Sequence, residues 1–250
     1  MSDSKFIDTP EGRRIAYHKT EGAGPCLVFL GGLKSDMMGT KAVYLEDWAR
    51  AEGRAFLRFD YSGHGESSGS FTEGCIGDWH EDTLAAVAAL TEGPLIVVGS
   101  SMGGWQALLL ARHLPERIAG LVGIAAAPDF TEDGYWANFT EAQKQTLAEV
   151  GQVELPSDYM EPYVITRRMI EDGRKRLVLR EALDLPFPVR LLQGTADTAV
   201  STATAVRLLE HAQSPDMQLT LVKDADHRFS DARCLAMIVA AINEVSGKEG

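Results

Sequence analysis

An alternation constrains this chain more than any other feature. Short apolar runs rich in β-branched residues fall at 26–30, 55–59, 95–98, 120–124 and 189–192. Between and after them, apolar residues recur at helical spacing over 41–51, 76–90, 102–113, 202–211 and 234–245. Further strand-like runs occupy 13–17 and 217–222. The runs from Leu95 and Gly120 are apolar nearly throughout, as strands covered on both faces should be. Strands that alternate with helices require right-handed crossovers, so the expected fold is α/β, a mostly parallel central sheet flanked by helices.

The rhythm fails once. From 129 to 188 no strand is evident, Pro156 and Pro162 interrupt the pattern, and a basic run extends from Arg167 to Arg180. Sixty residues are too many for a plain connection between neighbouring strands. Residues 1–128 and 189–250 are therefore expected to form the core, with 129–188 as a helical cap inserted over a crevice at the carboxyl end of the sheet. Glu171 and Asp172 within the basic run suggest a solvated helix face with local ion pairs, in preference to an anion-binding surface.

Charge narrows the partners. Twenty-four Lys and Arg against 36 Asp and Glu leave a net charge of -12, the wrong sign for a nucleic-acid footprint. The longest small-apolar stretch, 118–127, is ten residues, half of what a membrane span needs. Cys26, Cys75 and Cys234 are widely spaced and odd in number; they read as packed thiols in a reducing compartment. With no secretory or transit pattern at 1–10, the expected location is cytoplasmic. No metal-ligand spacing, P-loop or dinucleotide fingerprint occurs, and no cofactor is expected.

Gly99-Ser100-Ser101-Met102-Gly103 fits G-x-S-x-G, and so does Gly65-Glu66-Ser67-Ser68-Gly69. Context separates them. The first follows Leu95-Ile96-Val97-Val98 directly and opens a strong helix, the strand–turn–helix setting of a nucleophile elbow, whereas the second lies among loop residues. A serine hydroxyl needs a base, and the base needs an orienting acid. Of the histidines after Ser101, His113 and His211 end helices, while His227 lies in a polar loop before the last helix and is the candidate base. Asp197, just past the 189–192 strand, is the candidate acid, with Asp129 as runner-up and Asp226 discounted for its adjacency to His227. The amides of Met102 and Leu33, the latter in the Gly31-Gly32-Leu33 turn, are the expected oxyanion donors. Asp60 and His64 precede the nucleophile and read as a structural loop; Met37, Met38 and Trp105 read as packing.

With those segments in view, the chain resembles the α/β-hydrolase superfamily from about 13 to 245. More narrowly, it resembles the branch that holds a mammalian mitochondrial acyl-glucuronide esterase and palmitoyl-protein thioesterase. Gly39-Thr40-Lys41-Ala42, Arg58-Phe59-Asp60-Tyr61-Ser62-Gly63, Val98-Gly99-Ser100-Ser101-Met102-Gly103-Gly104-Trp105, Arg190-Leu191-Leu192 and Asp226-His227-Arg228 carry the likeness. The resemblance implies the α/β-hydrolase fold and places its triad on Ser101, Asp197 and His227. The superfamily's usual His-Gly oxyanion turn is Gly31-Gly32 here. The implied activity is hydrolysis of a small-molecule ester or acyl-thioester; carbon–carbon bond hydrolysis and cofactor-free perhydrolysis are the alternatives, and a non-enzymatic binding role is disfavoured by the complete triad.

Overall fold

The computed structural model describes residues 3–156 and 162–247. In chain order the elements are β1 (Lys5–Asp8), β2 (Arg14–Thr20), β3 (Ala23–Leu30), α1 (Thr40–Ala51), β4 (Arg54–Phe59), α2 (Ile76–Leu90), β5 (Leu95–Ser100), α3 (Met102–His113) and β6 (Ile118–Ile124). There follow α4 (Glu141–Val150), β7 (Gln152–Leu155), β8 (Tyr163–Thr166), α5 (Arg167–Gly173), β9 (Leu183–Asp184), β10 (Val189–Gly194), α6 (Thr202–His211), β11 (Ala212–Gln213), β12 (Met217–Val222) and α7 (Ala232–Val245).

Eight strands make one sheet in the order β1-β2-β4-β3-β5-β6-β10-β12. Within this sheet, among the described residues, only the β1–β2 and β2–β4 pairs are antiparallel. Side chains alternate between two buried layers. Leu27, Phe29, Ile96 and Val98 meet α1 and α7 on one face; Val28, Leu30, Leu95 and Val97 meet α2 and α3 on the other. Burial on both faces is why these strands read as continuous apolar runs.

The topology fixes where a site can form. After β3 the chain turns through α1 to β4 on one side; after β5 it turns through α3 to β6 on the other. The loops leaving β3 and β5 diverge, and a crevice opens between them at the carboxyl ends of the strands. Gly31–Leu33 directly follow β3 and Ser101 directly follows β5, at those carboxyl ends.

Between β6 and β10 the chain forms a wide helical turn (Phe130–Trp136), α4, a β7–β8 hairpin, α5 and the two-residue β9. The hairpin corrects the expectation of a strandless segment. Its strands are only four residues long, and Pro156 and Pro162 flank the connection, so no recognisable period develops. The basic run is paired in large part across the fold, not along one helix. Arg168 binds Asp78 of α2, Arg174 binds Glu132, and Arg180 binds Asp129 and Asp133. Arg167–Glu171 and Arg176–Asp172 are the local pairs. No helix among the described residues is long and apolar enough to cross a membrane.

Candidate active site

Ser101 occupies a strained backbone position (φ 55°, ψ -120°) between the last residue of β5 and the first of α3. A non-glycine residue holds such a conformation only when its surroundings over-determine it. Here the Ser101 amide donates to the Ile124 carbonyl at 2.9 Å, and its carbonyl accepts from Gly104 and Ala127 at 2.8 and 3.1 Å. The flanking glycines have a steric reason. A Cβ on Gly99 would lie 2.3 Å from the Gly103 carbonyl oxygen, and one on Gly103 would lie 2.0 Å from that of Leu30. Both obstacles are backbone, so they cannot swing aside. Gly103→Ala is expected to cost about 2 kcal/mol, the scale of overpacking a tight site. That corresponds to a fall in Tm of roughly 5 °C for a domain of this size, read by calorimetry.

Three side chains converge from separate loops. The Ser101 hydroxyl lies 3.2 Å from His227 Nε2, and His227 Nδ1 lies 2.8 Å from Asp197 Oδ2. The side chain of Asp197 is fully buried and, among the described residues, takes four hydrogen bonds: from the Ala199 and Val200 amides at 2.8 Å each, from Gln193 Nε2 at 3.0 Å and from His227. Burial acts to raise its carboxyl, but the His227 and Val200 bonds outweigh it and hold the group below the usual carboxylate range. An ionised carboxylate only accepts, so the Nδ1 of neutral His227 carries the proton and Nε2 presents a lone pair to the Ser101 hydroxyl.

The two amides expected to hold an oxyanion follow neighbouring strands, Leu33 after β3 and Met102 after β5. Among the described residues neither the Leu33 nor the Met102 N–H donates to a protein acceptor, and Met102 opens α3, where the helix dipole is positive. A Cβ on Gly32 would stand 3.4 Å from the Ser101 Cβ, so the β3 turn packs directly on the serine.

The remaining candidates fall elsewhere. Asp129, the runner-up acid, is fully buried but turned away: its carboxylate accepts from the Val178 and Leu179 amides at 2.8 and 3.0 Å and from Arg180 at 3.2 Å. It anchors the segment before β9. Asp129→Ala strands those amides in the interior and is expected to destabilise the fold by about 3–5 kcal/mol, seen as a lowered urea midpoint with unchanged slope. Asp226 accepts from the Phe229 amide at 3.1 Å and stays in its own loop. Ser67 of the second G-x-S-x-G donates to the Asp60 carbonyl at 2.7 Å and accepts from the Ala16 amide at 2.8 Å, as a loop brace. Trp105 is buried and donates to the Arg176 carbonyl at 3.1 Å. Met37 is buried, and Met38 packs its sulfur 3.0 Å from Arg58. All three cysteines are buried, and burial pushes the Cys26 and Cys234 thiols up to about 11.

Sequence reasoning missed two contacts near the site. The Lys34 amide, next to Leu33, donates to His64 Nε2 at 3.1 Å, and the Met37 amide donates to Asp60 Oδ1 at 2.6 Å. The loop signal around Asp60 and His64 was visible, but its target, thirty residues earlier for His64, was not.

Comparison with known proteins agrees with this architecture. The family described as alpha/beta hydrolase fold matches residues 44–165. The rat mitochondrial palmitoyl-protein thioesterase ABHD10 is 34% identical over 245 residues, spanning 97% of this chain and 82% of that protein. The chain belongs to the alpha/beta hydrolase family. Within it, the similarity supports the ABHD10 branch: the solved mouse alpha/beta hydrolase domain-containing protein 10 superposes with a TM-score of 0.90 at 33% identity, covering 98% of each chain. A crystal structure from Agrobacterium vitis S4 gives 0.94 at 39% identity, covering 97% of this chain and 98% of the other. The expected alpha/beta hydrolase fold is thus borne out. The cytoplasmic expectation is not: relatives matched over 97% of the chain are named as mitochondrial proteins. Unpaired cysteines report a reducing environment and do not tell one such compartment from another.

Proposed function

We propose that this alpha/beta hydrolase is a serine esterase or thioesterase that works through an acyl-enzyme on Ser101. The observation that carries the reading is the continuous path from Ser101 Oγ through His227 to Asp197, set at the carboxyl ends of β5, β10 and β12. Ser101 attacks the acyl carbon as its proton passes to His227 Nε2. The oxyanion that forms is held by the amides of Leu33 and Met102. Collapse of the tetrahedral adduct expels the alkoxide or thiolate, which takes the proton from His227. Water then gives a proton to His227 and attacks the acyl-serine; the acid leaves and Ser101 is restored. Asp197 keeps the imidazole in the required tautomer and stabilises the imidazolium.

The segment 129–188 serves as a cap over the crevice. Support comes from Lys34, whose Nζ reaches the Pro162 carbonyl at 3.4 Å and stands 5.5 Å from the Tyr163 ring centroid. One residue beyond Leu33 is therefore in contact with that segment. The names of the ABHD10 relatives favour acyl-thioesters as substrates, including long acyl chains. Turnover of p-nitrophenyl esters and acyl-thioesters from C2 to C16 tests this. A rise in kcat/KM with chain length supports the long-chain thioesterase reading; a preference for short chains makes the protein a general carboxylesterase. No turnover of any ester or thioester removes the proposal.

A further inference from the structure

The turn that carries Leu33 is built on an unfavourable backbone. The Ser35 amide donates to the Gly32 carbonyl at 3.1 Å, closing a four-residue turn, and Lys34 at its third position has φ 57°. A turn of this kind ordinarily takes glycine there, because a side chain is strained in the left-handed region. What substitutes for glycine is a hydrogen bond. The Lys34 N–H points at His64 Nε2, and His64 Nδ1 donates to the Ser62 carbonyl at 3.1 Å. Trp79 Nε1 donates to that same carbonyl at 3.0 Å.

His64 is itself immobile. It is buried, with the rings of Tyr61, Phe71 and Trp79 edge-on at centroid distances of 5.7, 5.5 and 5.1 Å. Burial lowers its pKa, so the ring stays neutral with a lone pair on Nε2. We infer that His64 is a positioning residue for the oxyanion turn: its bond to the Lys34 amide pins the strained Gly32–Ser35 turn, and so holds the Leu33 N–H where the tetrahedral intermediate needs it. Without that bond the central peptide of the turn is free to rotate and relieve Lys34, carrying the neighbouring amide out of line. This inference rests on the serine-hydrolase reading above.

Two substitutions isolate the contact. In His64→Asn the amide N–H can replace Nδ1–H toward Ser62, but the side chain is too short to meet Lys34. In His64→Gln the Oε1 falls near the position of Nε2 and can accept from Lys34. Removal of one oxyanion donor costs about 10²–10³ in kcat, so a displaced donor should cost roughly 10- to 100-fold. The expected result on a p-nitrophenyl ester is a fall of that size in kcat for H64N, with KM within about threefold, and a kcat for H64Q nearer to wild type than to H64N. A boronic-acid transition-state analogue should weaken in H64N by a factor similar to the loss in kcat/KM. His64→Phe keeps the aromatic packing and removes both bonds, and serves as the folded control if H64N does not reach the native state; its kcat should fall as far. The inference is overturned if H64N or H64F keeps kcat within twofold of wild type, or if H64Q loses as much as H64N. Ser101→Ala separates the two levels. Activity retained there defeats the serine-hydrolase reading, whereas an inactive S101A beside a fully active H64N defeats only the role of His64.

Discussion

Replacing Ser101 with alanine is expected to reduce kcat for ester hydrolysis by about four orders of magnitude or more, and His227→Ala to do nearly the same. The reason lies in the division of labour. Alanine at 101 removes the atom that attacks; alanine at 227 leaves a hydroxyl whose proton has nowhere to go. On the proposed mechanism the residual rate in either variant would come from the Leu33 and Met102 amides and from substrate binding, which neither substitution removes. KM should therefore change little, and the double variant should be scarcely slower than either single one. Near-additive losses would mean that the two residues do not act as a unit. Steady-state kinetics on one p-nitrophenyl ester, with Tm to confirm folding, gives all of these values.

Asp197→Asn is expected to cost roughly 10³–10⁴ in kcat; it keeps the two amide bonds to the loop and loses the one from Gln193, which reaches the same oxygen as His227. An asparagine oxygen can still accept from the Ala199 and Val200 amides, which bond Oδ1 of the native residue. The change falls on the other side. The position 2.8 Å from His227 Nδ1 becomes an amide donor, so the favoured tautomer carries its proton on Nε2. The nitrogen that faces Ser101 at 3.2 Å then has a proton and no lone pair, and it cannot act as a base. A kcat within tenfold of wild type would show that the carboxylate does not set the state of His227.

Much of the scaffold could be read from sequence because its strands are buried on both faces and its helices carry clear boundaries. The helices at Ile76–Leu90, Met102–His113 and Thr202–His211 coincide with the expected spans. α7 begins two residues earlier than expected because Asp231 caps it, accepting from the Cys234 amide. Strand β1 escaped notice: Lys5–Asp8 is a short edge strand, largely exposed, whose pairing with β2 leaves little apolar trace. The β7–β8 hairpin was hidden for the same reason of length.

The site divides along similar lines. The sharp turn at Ser101 was legible because a strained residue at a strand–helix junction demands glycines two positions to either side, and those demands are written locally. His227 and Asp197 followed from loop positions after strands. What local pattern could not reveal was who meets whom across the fold. The bond from Lys34 to His64 joins two loops, and Asp129 looked like a candidate acid until its oxygens were found on Val178, Leu179 and Arg180. The arginines after position 166 likewise read as a solvated helix face with local pairs, yet Arg168 and Arg180 bind acids on α2 and in the turn after β6.

The most direct test of the account is to trap the covalent intermediate. Enzyme mixed with a p-nitrophenyl ester, quenched in acid during turnover and digested, should yield a peptide containing Ser101 heavier by one acyl group, with fragmentation placing the group on that serine. The adduct should be absent from S101A. An acyl group found on another residue, or turnover with no acylated peptide under conditions that preserve serine esters, would contradict the mechanism at its centre.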